Sequence, residues 1–243
     1  MQMRFGHTPN RYSAMNNIAI ITARGGSKRI PRKNIKEFCG KPIIAYSIEA
    51  ALESGLFDEV MVSTDDEEIA EVARFYGASV PFMRSKETSD DYATTADVII
   101  EVLKEYEERG GNFGLLCCIY PTAPFVSTDE LTKAWDIIES GAPSVIPVTD
   151  FDFPPQRGFC ISEDESIFYA YPEYAFSRSQ DLPRMVHDCG RFFMARTEVF
   201  LTHETAVVEG CRSLYIDPRF VQDIDTMQDW ELAEMKYRMM RKR

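Results

Sequence analysis

Residues 18–34 read IAIITARGGSKRIPRKN, and within this stretch the chain changes from apolar to basic. Ile18 to Ile21 is short, apolar and rich in β-branched side chains, which predicts a buried central strand. The pair Gly25 and Gly26 follows, and adjacent glycines indicate an abrupt change of backbone direction. The stretch therefore predicts a central strand that ends in a tight, positively charged loop.

The segment from Arg24 to Lys41 concentrates positive charge in a chain whose formal net charge is -12. Against the single acid Glu37 it holds Arg24, Lys28, Arg29, Arg32, Lys33, Lys36 and Lys41. Glycines let backbone N–H groups approach an anion, Ser27 adds a hydroxyl, and Lys and Arg neutralise phosphate oxygens. The pattern predicts a nucleotide triphosphate site. A solvated basic loop is the alternative, because GGSK lacks the spacing of a Walker loop.

Composition limits the classes of protein that this chain can be. With 243 residues, 44% hydrophobic and 27% charged, it suits one α/β domain with an excursion better than two independent domains. A strongly negative net charge argues against nucleic-acid binding, which usually needs a broad basic face. The six cysteines include no CxxC pair, which predicts reduced thiols rather than a metal site.

The ends of the chain and its hydropathy predict a cytoplasmic protein with no membrane partner. No segment approaches the ~18 consecutive apolar residues of a membrane helix, and the N-terminus lacks an apolar signal-peptide core. Residues 1–16 are polar and carry no pattern, so we expect a flexible extension there. Residues 17–243 are expected to form a single domain.

Predicted strands and helices alternate along this domain. Strands are expected at 59–63, 79–82, 113–119 and 144–148. Helices are expected from Pro42 to just before Gly55, from a cap at Asp65 or Asp66 to Gly77, from a cap at Thr95, and over 129–139. This alternation predicts a mostly parallel sheet with ligands at the carboxyl ends of its strands. Function is therefore expected in the loops 24–34, 63–66, 84–94 and 120–124.

The pattern breaks between residues 150 and 188, where Phe, Tyr and Pro are dense. We call residues 150–188 the excursion and expect it to be rich in β-structure. Its aromatic residues are too many for a small solvated flap, which favours a dimer contact. A miniature core packed on the parent domain is the alternative.

Two further clusters carry polar groups. The sequence RSQDLP, residues 178–183, places a guanidinium, a hydroxyl, an amide and a carboxylate in one turn, which suits a hydroxylated acid. Asp223 and Asp225 lie on one side of an extended segment and would suit a phosphate-bound Mg2+. Helix capping is the rival explanation, through a box formed by Asp225 with Gln228 or by Thr226 with Asp229.

Eight motifs, in this order, give the chain a resemblance to the cytidylyltransferases that activate sialic and related nonulosonic acids. They are ARGGSKRIPRKNI, GKPIIAYSIEAA, STDDEEIA, RSKETSDDYATT, YPTAPF, RSQDLP, HDCGRFF and QDIDTMQDW. The strongest likeness is to the pseudaminic acid branch. The resemblance implies a Rossmann-like nucleotidyltransferase fold, a homodimer completed by the excursion, CTP and a nine-carbon sugar acid as substrates, and Mg2+.

The resemblance also implies roles for individual residues. The triphosphate would be held by six residues of the basic loop: Arg24, Gly25, Gly26, Ser27, Lys28 and Lys33. Arg24 and Lys28 would also be catalytic. The cytidine would be framed by Asn34, Arg84, Ala93 and Thr95. The metal would be bound by Asp223 and by Asp225, which would also be catalytic. The sugar acid would be contacted by Tyr120, Thr122, Arg157, Arg178, Gln180 and His187.

The acceptor is the least determined part of the resemblance. Sialic acid enzymes carry a sequence resembling QPTSP where this chain has Tyr120-Pro-Thr-Ala-Pro, which favours pseudaminic acid over sialic acid. The family's lysine in the excursion is replaced by Gln156 or Arg157. His187 is either a sugar contact or a polar residue beside a turn. Legionaminic, sialic or eight-carbon acids, a non-catalytic nucleotide-sugar sensor and a structural assembly protein remain as alternatives.

Overall fold

The fold is that of a computed structural model, and its description covers residues 16–241. The expected flexible extension lies outside the described residues except for Asn16, which is instead the first residue of a strand. Eleven strands are described: β1 Asn16–Thr22, β2 Glu37–Phe38, β3 Lys41–Pro42, β4 Glu59–Ser63, β5 Phe113–Ile119, β6 Ser144–Asp150, β7 Phe159–Ile161, β8 Ile167–Tyr169, β9 Val186–Asp188, β10 Phe192–Arg196 and β11 Arg212–Tyr215. The six α-helices are α1 Ile43–Ser54, α2 Glu67–Phe75, α3 Thr95–Glu108, α4 Thr128–Glu139, α5 Thr197–His203 and α6 Met227–Met240.

A seven-stranded mixed sheet organises these elements. Six strands follow the order β11-β6-β10-β5-β1-β4, and β9 also pairs with β6. The pairs β1–β4, β1–β5 and β11–β6 are parallel, whereas β10 runs antiparallel between β5 and β6. Because β1, β4 and β5 point the same way, their carboxyl ends meet at one edge of the sheet. The mostly parallel sheet is confirmed. Strands β9 and β10 are antiparallel to their neighbours, which a simple βαβ alternation does not predict.

Strand β1 lies at the centre of the core. Ile18, Ala19, Ile20 and Ile21 are fully buried. Ala19 and Ile21 belong to one apolar cluster and Ile18 and Ile20 to another, because successive side chains point to opposite faces of the sheet. Helices cover both faces, so the apolar run of β1 reads as a strand buried on two sides.

Most predicted elements are confirmed, and the differences lie at their ends. Helix α1 begins at Ile43, so Pro42 precedes the helix rather than starting it, and Gly55 ends it with φ 64°. Asp66, not Asp65, caps α2 by accepting a hydrogen bond from the Ile69 N–H.

Two further predictions are wrong. Thr94 caps α3, so Thr95 is its first helical residue. Residues 79–82 form no strand, since only Ser79 makes an isolated parallel bridge, to Met61.

A third apolar cluster attaches helix α6 to the base of the basic loop. The Phe38 ring contacts Tyr46, Trp230 and Tyr237 edge to face, with centroid distances of 5.5–5.6 Å. Trp230, Ala233 and Tyr237 are buried and form the inner face of the last helix. This packing fixes the start of α6, and with it the preceding Asp223–Asp225 segment, beside the basic loop.

The excursion leaves the sheet after β6 and returns to it at β9. It contains a two-stranded hairpin of β7 and β8 and short 3₁₀ turns. The side chains of Phe153 and Phe176 are 83% and 99% exposed, so they do not form a miniature core within one copy of the chain. Over residues 16–241, no helix combines the length and apolar character needed to cross a membrane.

Candidate functional site

The basic segment leaves the carboxyl end of β1 and folds back on itself as a loop. The Asn34 Nδ2 donates a hydrogen bond to the carbonyl oxygen of Arg24, 2.9 Å away, and so joins the two ends of the loop. Lys33 Nζ donates to the carbonyl oxygen of Ile224 at 2.7 Å. The loop is therefore attached to the segment that precedes α6, although Lys33 and Ile224 are 191 residues apart in sequence.

A cavity of about 370 Å³ opens between the basic loop, the 120–124 loop and Asp225. We call it the basic cavity. Its charged lining consists of four cations and one carboxylate, from Arg24, Lys28, Arg29, Lys33 and Asp225, and the Ser27 hydroxyl adds a polar group. Concentrated positive charge in a concave site attracts a multiply charged anion such as a triphosphate.

A second cavity of about 270 Å³ lies next to the first and shares Thr22 and Arg24 with it. We call it the base cavity. Arg84, Ala93 and Thr95 line it, so three residues expected at the cytidine do lie together. Because the two cavities share a wall, one extended ligand can occupy both.

Arg84 is a buried anchor of the base cavity. Its Nε donates to the Ser63 hydroxyl at 3.0 Å and its Nη2 to the Ser63 carbonyl oxygen at 2.6 Å. Burial lowers the pKa of Arg84 to about 10, which leaves it charged at neutral pH. Ser63 ends β4, so Arg84 ties the 84–94 loop to the carboxyl edge of the sheet.

Acidic residues hold the glycine turn in place. The Gly25 N–H donates to Asp65 Oδ1 at 2.8 Å, so this N–H already has a partner within the protein. Asp66 caps α2 and also accepts a hydrogen bond from Arg32 Nη2 at 3.2 Å. Arg32, with φ 57°, therefore packs against α2 instead of facing the basic cavity. Gly25 and Gly26 shape the turn beside the cavity and are not part of its lining.

The structure separates the capping explanation from the metal explanation at the start of α6. The box formed by Thr226 and Asp229 is confirmed: Thr226 Oγ1 accepts from the Asp229 N–H at 3.2 Å, and Asp229 Oδ2 accepts from the Thr226 N–H at 2.7 Å. The box formed by Asp225 and Gln228 is wrong. Capping therefore uses the side chain of neither Asp223 nor Asp225.

Both carboxylates act on the basic loop. Asp225 Oδ1 accepts from Arg29 Nη2 at 2.7 Å and lies 3.8 Å from Lys33 Nζ. Burial lowers the pKa of Lys33, and the charges of Asp225 and Asp223 oppose that shift. Mg2+ commonly binds one or two carboxylates together with substrate phosphates, and this pair beside a basic cavity fits such a metal. Over residues 16–241, no three His, Cys, Asp or Glu side chains converge on one metal position.

The residues expected at the sugar fall into two groups. Tyr120 lines a cavity of about 270 Å³ with Asp188 and Phe193, beside the base cavity. Thr122 lines the basic cavity. His187 lines another cavity, of about 450 Å³, together with Asp223. Tyr120 and Thr122 therefore border the base and basic cavities, whereas the cavity of His187 shares no lining residue with either.

The other three lie on the excursion. Arg157 Nη2 donates to the Ser177 carbonyl oxygen at 2.6 Å, and Arg178 Nε to Asp181 Oδ2 at 2.7 Å. Both residues, like Gln180, are exposed and line neither the basic cavity nor the base cavity. Gln156 is buried and donates to the Pro183 carbonyl oxygen at 2.6 Å, so Arg157 is the exposed one of the two residues expected in place of the family's lysine.

The sequence analysis assigned no role to two residues of this site. Arg29 lines the basic cavity and pairs with Asp225. Asp91 bonds to both Arg24 and Lys28. The signal for Asp91 was present in the motif RSKETSDDYATT, but no local pattern identifies a partner 63 residues away.

The chain belongs to the cytidylyltransferase family, because residues 18–193 match the family described as cytidylyltransferase. Among its relatives is the pseudaminic acid cytidylyltransferase of Campylobacter jejuni, which is 43% identical over 227 residues, spanning 93% of this chain and 97% of the relative. The CMP-N,N'-diacetyllegionaminic acid synthase of Legionella pneumophila is 32% identical over 90% of this chain and 95% of its own length. The resemblance expected from the eight motifs is confirmed, and the protein is a nucleotidyltransferase.

A solved structure confirms the fold. The structure of CMP:2-keto-3-deoxy-manno-octonic acid synthetase complexed with CTP superposes with a TM-score of 0.67 and covers 94% of this chain and 100% of that chain. At 16% sequence identity this likeness concerns the fold. The expected Rossmann-like nucleotidyltransferase architecture is thus confirmed.

The glycine turn gives a test of the packing around the site. An alanine Cβ at position 25 would lie 2.8 Å from Asp66 Oδ2 and 3.0 Å from Asp66 Cβ, and Asp66 is held by its cap and by Arg32. We expect Gly25→Ala to lower the free energy of unfolding by ~1–3 kcal/mol, the usual cost of overpacking, in urea denaturation. Gly26→Ala is the control, because its Cβ would meet nothing within 4 Å. Equal stability of the two variants would contradict this packing.

Proposed function

We propose that this protein transfers CMP from CTP to the anomeric hydroxyl of a nonulosonic acid, with pseudaminic acid as the acceptor, and releases pyrophosphate. The observation that carries the proposal is the joined pair of cavities, one basic and one framed by Arg84 and Thr95, which together match a nucleotide triphosphate. The 43% identity to a pseudaminic acid cytidylyltransferase over nearly the whole chain supports the choice of substrates. CTP is a cytoplasmic nucleotide, and we place the reaction in the cytoplasm.

In the proposed reaction, the anomeric oxygen of the sugar acid forms a bond to the α-phosphorus of CTP. The bond from that phosphorus to the bridging oxygen of the β-phosphate breaks, pyrophosphate leaves, and the hydroxyl proton passes to water. Negative charge builds on the phosphoryl oxygens and on the leaving group. Arg24 and Lys28 lie where they can neutralise it, and Lys33 and Ser27 hold the same phosphates. Arg84, Ala93, Thr95 and Asn34 orient the cytidine.

Asp223 and Asp225 would hold the Mg2+ of this reaction. When bound, the ion supplies positive charge that stabilises the phosphates and the leaving pyrophosphate. The protein's own contribution is to place Asp225 next to the cations of the basic loop, with Asp223 two residues before it. Arg29 holds Asp225 in that position through a 2.7 Å hydrogen bond. A non-catalytic sensor would have no need of this acidic pair.

The sugar is proposed to lie against Tyr120. The Tyr120 carbonyl oxygen accepts from the Ser47 hydroxyl at 2.8 Å and its N–H donates to the Arg191 carbonyl oxygen at 2.8 Å, so its backbone is held on both sides. Burial raises the pKa of Tyr120, which keeps the phenol neutral and able to donate a hydrogen bond. Thr122 and His187 are the further sugar contacts of this proposal, and they line the basic cavity and the cavity of Asp223.

Release of pyrophosphate tests the proposed function directly. With CTP and Mg2+, we expect release when pseudaminic acid is offered and little with legionaminic or N-acetylneuraminic acid. A coupled phosphate assay measures the rates. Pyrophosphate release only with one of the other acids would contradict pseudaminic acid as the acceptor but would leave the proposed reaction intact. Binding of CTP without release from any acid would favour a sensor.

The separate roles of Asp225 and Thr226 can be tested by mutation. We expect Asp225→Asn to abolish the Mg2+ dependence of turnover and to leave the melting temperature unchanged, because Asp225 is not the cap. Thr226→Ala should show the opposite pattern: a loss of about 1 kcal/mol of stability, typical of a removed N-cap, with Mg2+ dependence retained. If Asp225→Asn lowers the melting temperature and keeps the Mg2+ dependence of turnover, Asp225 is not a metal ligand.

We propose that the excursion forms a homodimer and carries Arg157, Arg178 and Gln180 towards the sugar site. In the β7–β8 hairpin the apolar side chains of Phe159, Ile161, Ile167 and Phe168 are 55–74% exposed. A contiguous exposed apolar surface usually marks an interface. Among residues 16–241, these hairpin side chains are left open to solvent.

Light scattering tests this dimer. We expect twice the chain mass of 27.8 kDa for the unmodified protein, and the single mass for a variant that combines Ile161→Asp with Ile167→Asp. These two residues are cross-strand partners, so both charges fall on one face. Phe75→Asp is the control, because Phe75 is 83% exposed on helix α2, outside the excursion. A monomeric unmodified protein would rule out the proposal.

A further inference from the structure

Asp91 connects the two loops that border the nucleotide cavities. Its Oδ1 lies 3.1 Å from Arg24 Nη1, and its Oδ2 accepts a hydrogen bond from Lys28 Nζ. Arg24 Nη1 also donates to the carbonyl oxygen of Asp90 at 3.0 Å. These contacts hold the 84–94 loop against the basic loop.

Asp91 uses the same cations that the triphosphate needs. Arg24 and Lys28 line the basic cavity, and Asp91 lines the base cavity beside it. The hydrogen bond from Lys28 and its charge lower the pKa of Asp91, so the carboxylate is ionised at neutral pH. A carboxylate and a polyphosphate would repel each other at this distance, and both cannot take Lys28 Nζ in the same geometry.

We infer that Asp91 is an internal counter-ion of the triphosphate site, which neutralises Arg24 and Lys28 in the free protein and is displaced when CTP binds. This inference rests on the proposed function, because it takes CTP as the displacing ligand. Asp91 would thus set the affinity for the nucleotide without contacting the bound nucleotide itself.

The exchange is favourable because the internal pair is weak. The side chains of Arg24, Lys28 and Asp91 are 40%, 75% and 49% exposed. Ion pairs this exposed contribute little to stability, since water screens them and ordering two long side chains costs entropy. A triphosphate brings several negative charges and many acceptor oxygens to Arg24 and Lys28. It therefore binds these cations more strongly than the single carboxylate of Asp91 and replaces it.

The displacement also reaches the base cavity. Asp90 Oδ1 accepts from the N–H groups of Tyr92 and Ala93, each at 2.8 Å, so the residues just after Asp91 form a compact turn. That turn leads directly into Thr94, the cap of α3, and Thr95. Movement of Asp91 away from Lys28 is therefore transmitted to the turn that lines the base cavity.

Asp91→Asn tests the inference, because asparagine keeps the size and removes the charge. By calorimetry at low salt, we expect CTP and pyrophosphate each to bind about fivefold more tightly, the order expected for removing one like charge near a solvated anion. Cytidine, which has no phosphate, should bind as it does to the unmodified protein. The gain should shrink at 0.5 M salt, about the concentration at which exposed charges are strongly screened.

Glu87→Gln is the matched control. Glu87 lies in the same loop, is exposed, and makes none of these contacts with Arg24 or Lys28. Weaker or unchanged binding of CTP to Asp91→Asn, or an equal gain in Glu87→Gln, would overturn the inference. Failure of the unmodified protein to bind CTP or pyrophosphate would instead overturn the proposed function and the inference with it.

Discussion

The candidate site of this protein depends on a concentration of positive charge in one loop of an acidic chain. Arg24, Lys28, Arg29 and Lys33 converge on one cavity, and their mutual repulsion is balanced from outside the loop. Asp91 pairs with Arg24 and Lys28, and Asp225 pairs with Arg29, so these two acids supply the balancing charge. Those two acids come from the segments that line the base cavity and precede helix α6. The acids that balance the basic loop therefore come from the segments that the proposed reaction needs.

The sheet makes this arrangement possible by placing three strand ends at one edge. β1 ends at Thr22, β4 at Ser63 and β5 at Ile119, and the loops that follow them are the basic loop, the Asp65–Asp66 turn and the Tyr120 loop. Aromatic packing of Phe38 against Trp230 fixes α6 and the acidic segment before it. A packed scaffold thus positions the polar side chains of its loops, which is the usual division between fold and site in α/β proteins.

Much of the fold could be predicted from local sequence, because its signals are local. The apolar run of β1 and the glycine at the end of α1 follow from periodicity and backbone preference. The insertion of β10 between β5 and β6 could not be predicted in the same way, since antiparallel pairing depends on distant partners. At the start of α3, Thr94 and Thr95 are chemically equivalent caps, and only backbone geometry separates them. The role of Asp91 depends on a contact across 63 residues, which no short pattern encodes.

The central claim is that one nucleotide spans the two joined cavities, with its phosphates on the basic loop. A crystal structure of the protein with CTP and Mg2+ tests it most directly. The account predicts the triphosphate between Lys28 and Asp225, the cytosine beside Arg84 and Thr95, and Asp91 turned away from Lys28. Phosphates bound elsewhere, with Asp91 still paired to Lys28, would contradict it.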